Sequence, residues 1–63
     1  MATLSELIIQ HPEIESFHHL VALVRRRAED GEVFLQFDVK PDYVDTPRNW
    51  HWQLEAAFTR GDP

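Results

Sequence analysis

The stretch from residue 11 to residue 31 constrains the fold most, because it has the pattern of one long amphipathic helix. Its apolar residues recur at steps of three and four positions, which places them on one side of a helix. These residues are Ile14, Phe17, Leu20, Val21, Val24 and Ala28. Pro12 suits a first helical position, and Gly31 can adopt the left-handed conformation that closes a last turn. We therefore predict a helix over residues 12–30, with the rest of the chain covering its apolar side.

A shorter helix is predicted before it, over residues 4–10. Thr3 and Glu6 have the spacing of a capping box, in which a hydroxyl at the N-cap is followed three residues later by a carboxylate. The residue before a proline is disfavoured in the helical conformation, so we expect a break at His11. A continuous, kinked helix is the alternative. The apolar side of this short helix is formed by Leu4, Leu7 and Ile8.

After the long helix, the apolar residues alternate with the period of a strand. Over residues 32–39 the inward side would carry Val33, Leu35, Phe37 and Val39. Residues 40–48 are rich in proline and aspartate, which is typical of a loop. Residues 49–59 alternate again, and a strand here would bury Trp50, Trp52, Leu54, Ala56 and Phe58 on one face.

Residues 49–59 also carry the signals of a helix. The N-cap, the first position and the end of that helix would be Thr46, Pro47 and Gly61. Helical spacing, however, puts Trp50 and Trp52 on nearly opposite sides, and so small a chain can hardly bury both. Burial of two tryptophans outweighs a helix preference of a few tenths of a kcal/mol per residue. We therefore predict a strand.

These elements predict one small α+β domain over residues 1–63, with two helices followed by a β-hairpin that packs on them in the order α-α-β-β. A chain this short buries only about 60% of the surface that it exposes when unfolded. It contains no cysteine, so disulfides cannot stabilise it. Association of two copies is the remaining route. We expect a homodimer in which two hairpins complete a four-stranded sheet.

The charge balance argues against general binding to nucleic acid. Eleven acidic residues oppose six basic ones, for a net charge of -5. Binding to phosphate backbones requires many lysines and arginines on one surface. The chain also lacks an apolar stretch long enough to span a membrane, and its first residues do not resemble a signal peptide. We expect a cytoplasmic protein.

No group of residues points to catalysis. Cysteine is absent, and Ser5 and Ser16 occupy a predicted helix start and a mid-helix position. The isolated glycines cannot form a phosphate-binding loop. We therefore predict no enzymatic activity and no cofactor.

Metal binding is a weaker interpretation of the histidines. His11, Glu15 and His18 are spaced by four and three residues, so a continuous helix would place them on one face. Zinc can bind imidazole and carboxylate ligands with such spacing. Because Pro12 separates His11 from the regular helix, we expect no metal site.

The leading functional interpretation is a non-catalytic protein-binding module that acts as a small regulator, adaptor or inhibitor. By analogy of size and charge alone, such proteins include phage and mobile-element inhibitors, and an acidic surface can imitate nucleic acid. Residues that the pattern leaves outside the core are candidates for the interface. The partner-binding candidates are Leu23, Arg26, Arg27, Phe34, Tyr43 and Val44.

The alternative is a small dimeric regulator that binds nucleic acid. It would use the cluster Arg25, Arg26 and Arg27, which a dimer doubles. Lys40, Arg48 and Arg60 would add to this cationic surface, and Trp50 or Trp52 would serve as a stacking platform. The overall acidity weighs against this alternative.

Overall fold

The computed structural model describes residues 2–59 and shows three helices with a short two-stranded sheet. In chain order, the elements are β1 (Ala2–Thr3), α1 (Leu4–Gln10), α2 (Phe17–Glu29), β2 (Leu35–Gln36) and α3 (Trp50–Thr59). The strands pair in parallel, with Ala2 opposite Leu35 and Thr3 opposite Gln36. The fold is thus of the mixed α+β kind, but its elements follow a different order from the predicted one.

Helix α1 occupies the range that its capping residues predict. The hydroxyl of Thr3 accepts a hydrogen bond from the Glu6 amide at 3.2 Å and donates one to Oε1 of Glu6 at 2.9 Å. The helix ends at His11, because the following Pro12 disfavours a further helical residue. Its fully buried side chains are Leu4 and Leu7.

Helix α2 begins at Phe17, so the predicted start at residue 12 is wrong. Ser16 is the N-cap, and its hydroxyl accepts a hydrogen bond from the amide of His19 at 3.1 Å. Pro12 instead lies in a turn between the two helices. A serine cap satisfies an amide that the first turn of a helix otherwise leaves without a partner. The hydroxyl of Ser16 therefore caps α2 at a later position than Pro12 predicted.

The end of α2 is closed by a glycine in the left-handed conformation. Gly31 has a φ of +100° and donates its amide to the carbonyl of Ala28 at 3.1 Å. The next amide, that of Glu32, reaches the carbonyl of Arg27 at 3.1 Å. These two bonds form the Schellman motif, which satisfies carbonyls at the end of a helix. Gly31 thus has the role that its position predicts.

Helix α3 replaces the strand predicted over residues 49–59, so the predicted β-hairpin is wrong. Leu54 and Ala57 lie one turn apart on α3 and are buried against the core, with α2 as the helix that α3 contacts. Trp50 is partly buried there, whereas Trp52, about 200° further around the helix, is 63% exposed. The strand prediction assumed that both tryptophans are buried. Because Trp52 remains exposed to solvent, burial of both tryptophans does not favour a strand, and the local helix propensity determines the conformation.

The start of α3 also differs from the helical alternative. The carbonyl of Asn49 accepts the first backbone hydrogen bond, from Gln53 at 3.0 Å, and the two side chains bond each other at 3.0 Å. Thr46 caps a tight turn instead, where its hydroxyl accepts a bond from the Tyr43 amide at 3.0 Å. Gly61, the expected end, lies outside the described residues.

The strand predicted over residues 32–39 is reduced to β2, which pairs with β1 at the amino terminus. The hairpin on which the expected dimeric sheet depends is therefore not formed within residues 2–59. β2 still contributes Leu35 to one core that all three helices share. The buried hydrophobic residues of this core are Leu4, Leu7, Phe17, Leu20, Val24, Leu35, Leu54 and Ala57.

Two aspartates from the connection between β2 and α3 hold the amino ends of the other two helices. Asp45 accepts hydrogen bonds from the amides of Phe17 at 2.6 Å and His18 at 3.1 Å. Asp38 accepts bonds from the hydroxyl of Ser5 at 2.6 Å and from its amide at 3.0 Å. The Ser5 hydroxyl and amide lower the pKa of Asp38, and the Phe17 amide, aided by that of His18, lowers the pKa of Asp45.

We expect the fold to lose stability in acid, because both carboxylates must be ionised to cap the helices. Their pKa values are lower in the folded state than the value of about 3.9 in an unfolded chain. Their stabilising contribution is therefore complete above about pH 4 and is lost as the pH falls through the folded-state pKa values. The melting temperature of the D38N/D45N double variant should fall less between pH 7 and pH 2 than that of the wild type. An equally steep fall would contradict the capping role, and D42N is the control in the same connection.

Candidate docking groove

A groove of about 400 Å³ opens between residues 33–37 and the outer side of α3. We call it the α3 groove. Its volume lies at the lower end of the range of pockets that bind small molecules or a few side chains, roughly 300–1,000 Å³. The aromatic residues that line it are Phe34, Phe37, Trp52 and Phe58.

One wall of the groove is the side of α3 that faces away from the core. Spacings of three, four and seven residues place Trp52, Glu55, Ala56 and Thr59 along this side. The buried Leu54 and Ala57 face the other way. This side of α3 thus combines the apolar Trp52 and Ala56 with the polar Glu55 and Thr59, and Trp52 is 63% exposed on it. The exposed tryptophan leaves apolar area available for contact with another molecule.

The opposite wall is the segment that enters and leaves β2. Leu35 is buried at the edge of the core, whereas Val33 is 91% exposed and Phe34 is 49% exposed. Phe37 is partly buried and meets the ring of His51 edge to face, with 5.0 Å between the ring centroids. The most exposed apolar side chains of this wall are therefore at its beginning, directly after the end of α2.

Trp52 is the feature of the groove that most calls for an explanation. Scattered small hydrophobic residues on a surface are normal, but exposed apolar groups that lie side by side mark interaction sites. Trp52 lines the same groove as the exposed Val33 and Phe34. Tryptophan is also enriched among the residues that contribute most to protein–protein affinity. The arrangement is suited to contact with another protein.

The residues predicted to bind a partner are dispersed in the structure. Phe34 lines the groove, and Val44 is fully exposed but lies in the tight turn after Tyr43. Leu23 and Tyr43 pack against the core, so the expectation that they lie outside it is wrong. Partial burial also raises the pKa of the Tyr43 hydroxyl. Of these four residues, only Phe34 contributes to the α3 groove.

The cationic residues predicted for partner or nucleic-acid binding lie outside the groove. Arg25 and Arg26 are exposed near the end of α2, whereas Arg27 is partly buried and its Nε atom has no hydrogen-bond partner among the described residues. Lys40 and Arg48 are exposed at two separate points of the connection that leads to α3. None of the five lines the groove. Arg60 lies outside the described residues.

The continuous helix that the metal interpretation requires is not formed within residues 2–59, because α1 and α2 are separate helices. His11 closes α1, and its Nδ1 lies 2.9 Å from Oε2 of Glu13. Glu15 precedes α2, and His18 is in the first turn of that helix. Over the part of the chain that the structure describes, no three histidine or acidic side chains are placed to hold a metal ion.

Sequence reasoning missed most of the groove because it assigned Val33, Trp52 and Phe58 to the inner face of a hairpin. One signal could have found it. A helix over residues 50–59 cannot turn both Trp50 and Trp52 inward, so a helical reading predicts one exposed tryptophan. That residue is Trp52.

Comparison with known proteins gives no relative from which a function could be transferred. No protein-family model, curated protein or solved structure matches this chain. The functional interpretation therefore depends on the geometry of the groove.

None of the helices within residues 2–59 is both long and apolar enough to cross a lipid bilayer.

Proposed function

We propose that this chain is a non-catalytic protein-binding module, a small regulator, adaptor or inhibitor, and that the α3 groove is its docking surface. The observation that carries the proposal is the 63% exposure of Trp52 at a groove whose other wall exposes Val33 and Phe34. Aromatic anchors surrounded by apolar contacts are typical of the centre of a protein–protein interface. The partner is another protein.

Burial of Trp52 would contribute a substantial part of the free energy of binding. A tryptophan buries up to about 250 Å². Covering the exposed 63% of Trp52 would therefore remove roughly 150 Å² from water, which contributes roughly 4 kcal/mol at about 25 cal/mol per Å². Val33 and Phe34 add to this contribution. Association costs about 4–15 kcal/mol in lost translational and rotational freedom, which is at least as much, so binding also requires the neighbouring contacts.

A pull-down with matched variants tests the proposal. The wild type, Trp52→Ser and Val44→Ser are tagged and incubated with lysate, with and without nuclease, and the captured proteins are identified by mass spectrometry. Both variants remove an exposed apolar side chain, but only Trp52 lines the groove. We expect one nuclease-resistant partner that the wild type and Val44→Ser retain and Trp52→Ser loses. Equal capture by the two variants would contradict the proposal.

The nucleic-acid alternative retains one specific observation in its favour, the exposure of Arg25 and Arg26 near the end of α2. Capture that disappears with nuclease would support it over the protein-binding proposal. Association of two copies also stays a prediction, because the small core and the lack of cysteine still favour a partner chain.

A further inference from the structure

Glu55 is the charged residue among the nine that line the α3 groove. The other eight are uncharged, and none of them is a lysine or arginine. The lining within the described residues therefore carries one negative charge and no positive charge. A cationic group that enters the groove thus meets a carboxylate with no opposing cation among the lining residues.

Glu55 is placed to act on a bound molecule. It is exposed, lines the groove and lies one helical turn from Trp52. Within residues 2–59, no side chain forms a hydrogen bond or ion pair with its carboxylate, while its backbone carbonyl accepts a bond from Thr59 at 2.8 Å. The groove thus combines apolar walls with one carboxylate that has no partner within the described chain.

We infer that the α3 groove binds a short cationic segment of the partner protein. One or two apolar side chains of that segment enter the groove beside Trp52, and a lysine or arginine pairs with Glu55. This inference rests on the proposed function and specifies the chemistry of the partner. A volume of about 400 Å³ accommodates a few side chains and not a folded domain. A two-fold contact that set the groove of one copy against the groove of another would bring two Glu55 carboxylates together, so symmetrical pairing through this surface is disfavoured.

The charge contributes specificity and association rate more than affinity. An exposed ion pair is worth at most about a fivefold change in affinity. Reversal of the Glu55 charge replaces an attraction by a repulsion, so we expect it to lower the affinity for a cationic ligand by about three- to tenfold. Loss of the apolar anchor Trp52 should lower the affinity for the same ligand by about thirtyfold or more.

Three synthetic 14-residue peptides serve as probes. The first is an amphipathic helix of leucine and lysine, the second replaces each lysine by glutamate, and the third replaces each leucine by serine. Binding is measured by fluorescence anisotropy of the labelled peptide with wild type, Trp52→Ser, Glu55→Lys and Asp42→Lys. The last two variants both change the net charge from -5 to -3, but only Glu55 lines the groove.

We expect the leucine–lysine peptide to bind the wild type most tightly of the three peptides. Its affinity should fall about thirtyfold for Trp52→Ser and three- to tenfold for Glu55→Lys. Its affinity for Asp42→Lys should fall by less than about twofold. Equal Trp52-dependent binding of the leucine–glutamate peptide would overturn the cationic preference and leave the docking groove intact. Binding of the serine–lysine peptide at the same affinity would show general charge attraction and overturn the inference. Absence of Trp52-dependent binding by any probe would overturn the docking groove too.

Analytical sedimentation of the protein without peptide tests whether a second copy of the chain occupies the groove. We expect Trp52→Ser to have the same mass in solution as the wild type. A dimer that Trp52→Ser dissociates would identify a second copy as the occupant of the groove and overturn the inference.

Discussion

Leu54→Ala is expected to destabilise the protein by about 2–5 kcal/mol, the largest effect of any single truncation on α3. Leu54 is 0% exposed on the side of α3 that faces the core. Removing its side chain leaves a cavity in a core that only eight buried hydrophobic residues form among the described part of the chain. A domain of this size has few kcal/mol of net stability, so much of the variant should be unfolded at 25 °C.

Urea denaturation followed by circular dichroism measures this effect, and Glu55→Ala is the control. Glu55 is adjacent in sequence but exposed, so its truncation should change the free energy of unfolding by less than about 0.5 kcal/mol. Equal unfolding midpoints for the two variants would show that α3 does not pack on the core through Leu54.

Proline substitution within α3 is expected to have an effect that depends on position. Glu55→Pro lies in the middle of the helix Trp50–Thr59 and should cost about 3 kcal/mol or more, because it removes a backbone hydrogen bond and clashes with the preceding turn. His51→Pro lies in the first turn, where the amides have no partner within the helix. It should therefore cost much less.

The contrast between the two proline variants distinguishes a helix from a strand. Thermal unfolding followed by circular dichroism at 222 nm gives both the helix content and the melting temperature. A strand over residues 49–59 has no tolerant first turn. Similar losses for His51→Pro and Glu55→Pro would therefore contradict the helical assignment.

The parts of the fold that local chemistry determines could be predicted from the sequence. Thr3 and Glu6 fix the start of α1 through bonds between neighbours in the chain, and Gly31 ends α2 in the same local way. The start of α2 was mispredicted because it depends on a distant residue as well as on Ser16. Asp45 lies 28 positions after Phe17 and accepts a hydrogen bond from the amide of Phe17. A local sequence pattern does not predict a contact between residues so far apart in the chain.

The last element was mispredicted for an energetic reason. A strand over residues 49–59 is predicted because burial of both Trp50 and Trp52 contributes more free energy than the helix propensity of this segment. That comparison is valid only if the folded chain buries both tryptophans. The exposure of Trp52 shows that the isolated chain leaves this apolar area uncovered. Of the groove residues, the sequence identified only Phe34 as a partner-binding candidate, because Phe34 is the large apolar residue that the alternating pattern leaves on the polar side.

Site-specific photocrosslinking from the groove tests its role as a docking surface most directly. A photoreactive benzoylphenylalanine is placed at position 59, on the exposed groove side of α3, or at position 44, which is exposed outside the groove. After irradiation in cells that produce the protein, we predict a discrete adduct with another protein from position 59 that Trp52→Ser abolishes, and none from position 44. Equal adducts from both positions, or an adduct from position 59 that survives Trp52→Ser, would contradict a docking role for the α3 groove.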